Sequence, residues 1–112
     1  MQVLWVQPAS WWPVPELEKK HERKTAEYAE SRGCLHLKLF MFGRVGWPDH
    51  IFLYPVGRIL FVEFKKEGKV PTKIQNFIHE KLRKYGFKVL AIDNLADGKQ
   101  AIDQLIGVEY YE

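Results

Sequence analysis

Asp49, Glu63 and Lys65 are the residues of this chain whose types and spacing could do chemistry. Asp49 follows Pro48, while Glu63 and Lys65 flank Phe64. Carboxylate oxygens are hard ligands that suit Mg²⁺ or Mn²⁺ rather than zinc. A lysine beside them can place a metal-bound water or stabilise charge on a phosphate in the transition state. Such a set would hydrolyse phosphodiesters. A Glu-x-Lys alone is common and usually marks a surface salt bridge at a strand end, so the chemistry depends on what holds Asp49 beside it.

The stretch from Gly46 to Lys65 reads as a β-hairpin, with two apolar runs around the turn Pro55-Val56-Gly57-Arg58. Asp49, Ile51 and Leu53 share one face of the first strand; Ile59, Phe61, Glu63 and Lys65 share one face of the second. If Leu53 pairs with Ile59, Asp49 falls opposite Glu63 and both point the same way. A slip by one residue would separate them. The Phe64 side chain points to the other face, leaving its backbone carbonyl as a possible metal ligand. His50 alternates away from Asp49 and is given a packing role.

Residues 1–14, with Trp5, Trp11 and Trp12 among Pro8 and Pro13, read as an irregular aromatic arm packed on its own domain or on a second subunit. Residues 15–112 read as a single domain. Its first helix runs from Pro15 to Arg32. Glu22 lies at the border of that helix's buried face, where position alone favours a solvated glutamate. Cys34 to Phe42 is a strand, with Lys38 on its polar side and in possible reach of phosphate. The loop Gly43-Arg44-Val45-Gly46 follows it. After a loop from Glu67 to Pro71, Thr72 to Tyr85 forms a helix with Ile74, Phe77, Ile78, Leu82 and Tyr85 as its apolar stripe. Thr72 and Gln75 match a capping box. Phe87 to Ile92 is a strand, and Asp97 to Ile106 a last helix with Asp97 and Gln100 as a second possible box. The order is α-β-β-β-α-β-α: an antiparallel meander, then a crossover helix that returns a fourth strand to the sheet.

A chain of 112 residues with 46% hydrophobic content supports one core. No apolar run approaches a membrane span, and the single cysteine, Cys34, permits no internal disulfide, which fits a cytoplasmic protein. The net charge of +3 is too small to establish a nucleic-acid partner, although lysines crowd the second half.

Pro48-Asp49 with Glu63-Phe64-Lys65 resembles the PD-(D/E)xK nuclease superfamily. The wider pattern is similar to the VRR-NUC family: Glu22, Gly33, Leu37-Lys38-Leu39-Phe40, Gly46-x-Pro48-Asp49, Gly57-Arg58, Val62-Glu63-Phe64-Lys65, Gln75 and Gly86. The resemblance covers about Glu18 to Asp93. It implies a restriction-endonuclease-like α/β core, a central mixed sheet flanked by helices. It also implies a Mg²⁺ or Mn²⁺ ion on Asp49, Glu63 and the Phe64 carbonyl, with Glu22 completing the acidic cluster through water. Lys65 would be catalytic, and Gln75 would help hold the site or the DNA. Arg44, Lys38, Lys66, Lys69 and Lys73 would contact DNA. Standalone members occur mainly in phages, so the expected protein is a homodimeric endonuclease on branched DNA, a Holliday junction or a flap, in a bacterial host cytoplasm. The competing readings are a non-catalytic nucleic-acid-binding or assembly module on the same fold, and a restriction-type or RNA-directed nuclease.

Overall fold

The computed structural model describes residues 3–8, 19–41 and 45–107, with backbone only at 3–8, 19, 40 and 41. Its elements are β1 (Val3–Pro8), α1 (Lys19–Ser31), β2 (Leu35–Met41), β3 (His50–Tyr54), β4 (Arg58–Phe64), α2 (Lys73–Lys84), β5 (Lys88–Ile92) and α3 (Leu95–Ile106). The strands form one five-stranded sheet in the order β1-β2-β3-β4-β5. All neighbours are antiparallel except β4 and β5, which the α2 crossover makes parallel. The expected meander and crossover are therefore present, in a mixed α/β sheet.

The N-terminal stretch differs from its sequence reading. Residues 3–8 are not irregular but form an edge strand, paired with β2 through a register shift between Val3 and Trp5. Proline is tolerated here because Pro8 is the strand's last residue and the strand lies at the edge. Residues 9–18, with Trp11, Trp12 and the expected start of the first helix, lie outside the described residues.

Strand alternation sorts the core. His36, His50, Phe52, Leu60, Val62, Phe64 and Ile92 are buried on one face. Ala29 of α1 and Ala101 and Ile102 of α3 belong to the same core cluster. On the other face α2 covers Val89, where Arg83 also donates to the Val89 carbonyl at 2.7 Å.

The face that α2 buries is turned from the stripe its hydrophobicity predicts. Ile74, Phe77 and Tyr85, expected to be buried, are exposed, and the buried residues are His79 and Leu82. The polar residues Gln75 and His79 belong to the inner face, because that face meets Glu63 as well as apolar β5. The Thr72–Gln75 capping box is formed in both directions. The last helix starts earlier than expected, at Leu95, because Asn94 rather than Asp97 caps it: the Asn94 side chain accepts from the Asp97 N–H at 2.8 Å.

The crossing of α1 and α3 sets how closely α1, and with it Glu22, lies on the sheet. Gly98 of α3 is buried, and a Cβ there would collide with the Thr25 side chain of α1. Thr25 is wholly buried and its χ1 is stiff, so it has little room to yield. Gly98→Ala is therefore expected to lose about 1–2 kcal/mol despite the helix propensity that alanine adds. The check is thermal unfolding: a midpoint lower by about 5 °C or more, restored when Thr25→Ala is added.

Candidate active site

The catalytic candidates meet at the start of β3. The hairpin register is the expected one, with Leu53 opposite Ile59 and His50 opposite Val62. Asp49 lies one residue beyond this ladder, and its carbonyl accepts from the Leu39 N–H at 2.7 Å. Gly46 shapes the approach. It holds φ at +88°, and a Cβ there would come within 2.9 Å of the Ile74 carbonyl oxygen, so the loop before Asp49 lies directly against α2.

Because Asp49 is past the ladder, alternation does not fix its carboxylate. Oδ2 lies 3.9 Å from the Lys38 ammonium and Oδ1 lies 3.4 Å from His50 Nε2. Glu22 of α1 reaches the same imidazole, with Oε1 at 3.5 Å from His50 Nε2. Glu22 is only 7% exposed, so the solvated-glutamate reading that position alone favoured does not hold. Lys38 is buried beside Asp49 rather than set out on the surface, so any phosphate contact it makes is made within the site.

The packing role given to His50 is half of what it does. Alternation does turn it to the α1 face, where it lies edge-on to Phe64 and its Nδ1 is 2.9 Å from His36 Nε2. From that place its Nε2 still meets both carboxylates, because one comes down from α1 and the other bends round the strand end. Burial, His50 and Lys38 lower the His36 pKa to about 3, so the ring behind His50 is neutral at physiological pH.

Glu63 projects from the opposite face, toward α2. Burial raises its pKa to about 7; Asp49 and Glu22 add to the rise, while Lys65 and Lys38 oppose it. All five side chains therefore act on one local field, spread across both faces of the sheet end. Gln75, on the inner side of α2, gives its Oε1 to the Thr72 N–H at 2.9 Å as the cap, which leaves its amide nitrogen for another partner.

The donor set fits a divalent cation. Three carboxylates share the site, and two of their oxygens, Glu22 Oε2 and Glu63 Oε1, are buried with no hydrogen-bond partner among the described residues. Carboxylate oxygens so placed are disfavoured in the charged form unless a cation or an N–H donor reaches them. Among the described residues no three His, Cys, Asp or Glu side chains already converge on a single coordination point.

No family model matches the chain. It is 32% identical over 77 residues to "Putative nuclease p44" of Acyrthosiphon pisum secondary endosymbiont phage 1, covering 69% of this chain and 83% of that protein. It also superposes on a solved "VRR_NUC domain" with a TM-score of 0.67 and 34% identity, over 83% of this chain and 97% of that one. The chain belongs to the VRR-NUC family.

In this VRR-NUC chain the exposed lysines expected to meet DNA follow the site in sequence. Lys66 and Lys69 lie in the β4–α2 loop and Lys73 opens α2. Arg44 lies outside the described residues. Two residues escaped sequence reading. One is His50 in its polar role, which needs the three-dimensional placement of α1. The other is His79, whose position four after Gln75 and three before Leu82 puts it on the inner helical face and would have been the signal.

Proposed function

We propose that this VRR-NUC nuclease is a metal-dependent deoxyribonuclease, an endonuclease that hydrolyses phosphodiester bonds in branched or flapped DNA. The observation that carries the reading is the cluster of Glu22, Asp49 and Glu63 with Lys38 and Lys65 at the start of β3. Asp49, Glu63 and the Phe64 carbonyl would hold Mg²⁺ or Mn²⁺, with Glu22 reaching it through water. The ion would polarise the phosphoryl oxygen and supply a reactive water.

The chain's own groups do the remaining work. Lys65 holds the attacking water or compensates charge on the phosphate. His50 Nε2 sets Glu22 and Asp49 against each other. Lys38 offsets part of the excess negative charge. Gln75 ties the start of α2 to its cap and presents its amide nitrogen to the site or to DNA. Lys66, Lys69 and Lys73 lead the phosphate backbone toward the site, and Arg44 extends that track. Residues 15–112 are proposed as a single nuclease domain, and of the 1–14 arm residues 3–8 add the edge strand β1 to its sheet. A homodimer would present two sites to a junction. The exposed side chains of Ile74, Phe77 and Tyr85 support it as apolar surface on α2.

The test is a cleavage panel with Mg²⁺ and with Mn²⁺: four-way junction, 5′ flap, 3′ flap, plain duplex and single strand. The junction or a flap is expected to be cut at least about tenfold faster than duplex. Equal cutting of all substrates would remove the structure-specific part of the reading. No cutting of any, with DNA bound, would favour the non-catalytic binding module.

A further inference from the structure

We propose that His79 of α2 is a positioning residue for Glu63: its Nε2–H holds Glu63 Oε1 and turns the other carboxylate oxygen toward the metal. The inference rests on the metal-site reading above and assigns a function to a residue that reading leaves unused.

His79 is 1% exposed, in the middle of α2. Its Nε2 lies 4.0 Å from Glu63 Oε1 on β4. Neither atom has a hydrogen-bond partner among the described residues. Two buried polar atoms this close, with no other partner among the described residues, are costly unless they meet. The gap is too wide for a hydrogen bond and too narrow for a bridging water, so the two groups close directly when the carboxylate turns. An imidazole N–H on a buried helix position is a donor of fixed direction. A donor so placed directs one oxygen of a carboxylate and leaves the other for a cation. The rotation of α2 has the same consequence. The helix buries His79 while leaving Ile74 and Phe77 exposed, a choice that hydrophobic packing alone would not make.

A partner behind a ligand changes metal affinity more than it changes folding. The experiment titrates Mn²⁺ into the metal-free protein by electron paramagnetic resonance, and measures thermal unfolding without metal. His79→Leu is expected to weaken Mn²⁺ binding about tenfold or more while leaving the metal-free midpoint unchanged or higher. His79→Gln, which retains an N–H donor of similar reach, is expected to bind within about threefold of the parent. The idea is overturned if His79→Leu binds like the parent, or if His79→Gln is weakened as much as His79→Leu. Should His79→Leu fail to fold, His79→Met replaces it under the same criteria. Glu63→Gln in the same series separates the two readings. If that variant also binds like the parent, the metal site itself is misplaced and the His79 role falls with it. If only Glu63→Gln loses the ion, the site stands and the His79 role falls alone.

Discussion

Glu63→Gln is expected to abolish cleavage, by about 10³-fold or more, and to flatten the pH dependence of metal-free stability. The two effects have one origin. Glu63 is largely buried and shares its field with Asp49 and Glu22, so its charged form is disfavoured. Its pKa rises from 4.5 to about 7 on folding, with burial as the first cause and Asp49 the second. The folded state then holds a proton that the unfolded chain has released. Folding stability is greatest below the unfolded value of 4.5 and falls as pH rises through about 7. Above that window the loss is on the order of 3 kcal/mol. Glutamine cannot ionise, so the variant lacks that loss. Thermal unfolding in a chelator between about pH 5 and about pH 8 checks it. The parent's midpoint should fall and the variant's stay level. An equal slope in both would assign the pH dependence to another group.

Glu22→Gln is the second large effect: cleavage slower by about 10²-fold, with DNA binding and folding retained. Glu22 is buried against His50, with its Oε2 unpartnered among the described residues. An isosteric amide preserves that packing and can still accept from the imidazole. What it removes is charge, and charge is what a water-mediated metal contact uses. Single-turnover rates with Mg²⁺, beside anisotropy binding to the same DNA, separate the two properties. A variant that cleaves at the parent's rate would reduce Glu22 to a packing residue. Glu22→Ala should lose stability as well, because it strips the carboxylate from His50 and opens a cavity.

Much of this was legible in the sequence, for identifiable reasons. The hairpin register could be read because alternation and a short turn leave few choices, and Leu53 does pair with Ile59. The Thr72–Gln75 box is a local signal and was found. What failed needed information from outside the segment. Alternation gives Asp49 the face of Glu63, yet it lies beyond the ladder, so its carboxylate turns to Lys38 and His50 instead. The strand alone gives His50 a packing role, and the partner that gives it a polar one comes from α1. Hydrophobicity puts Ile74, Phe77 and Tyr85 on the inner stripe of α2, whereas burial follows the polar neighbour on β4. The prolines near the N-terminus suggested an irregular arm, but they do not exclude an edge strand that ends on one. Glu22 was the reverse case: its helix position argued against it, and only the resemblance pointed to a buried acid.

If this cluster is a nuclease site in which Lys65 acts on the reacting phosphate, single-turnover cleavage by Lys65→Ala with saturating Mg²⁺, beside DNA binding by the same protein, will show it. Lys65 is partly exposed at the end of β4, with its N–H on the Ile92 carbonyl at 2.8 Å, a bond that alanine keeps. Cleavage is expected to fall by about 10³-fold or more, with binding within a few-fold of the parent. Cleavage by Lys65→Ala at the parent's rate would contradict that role for Lys65.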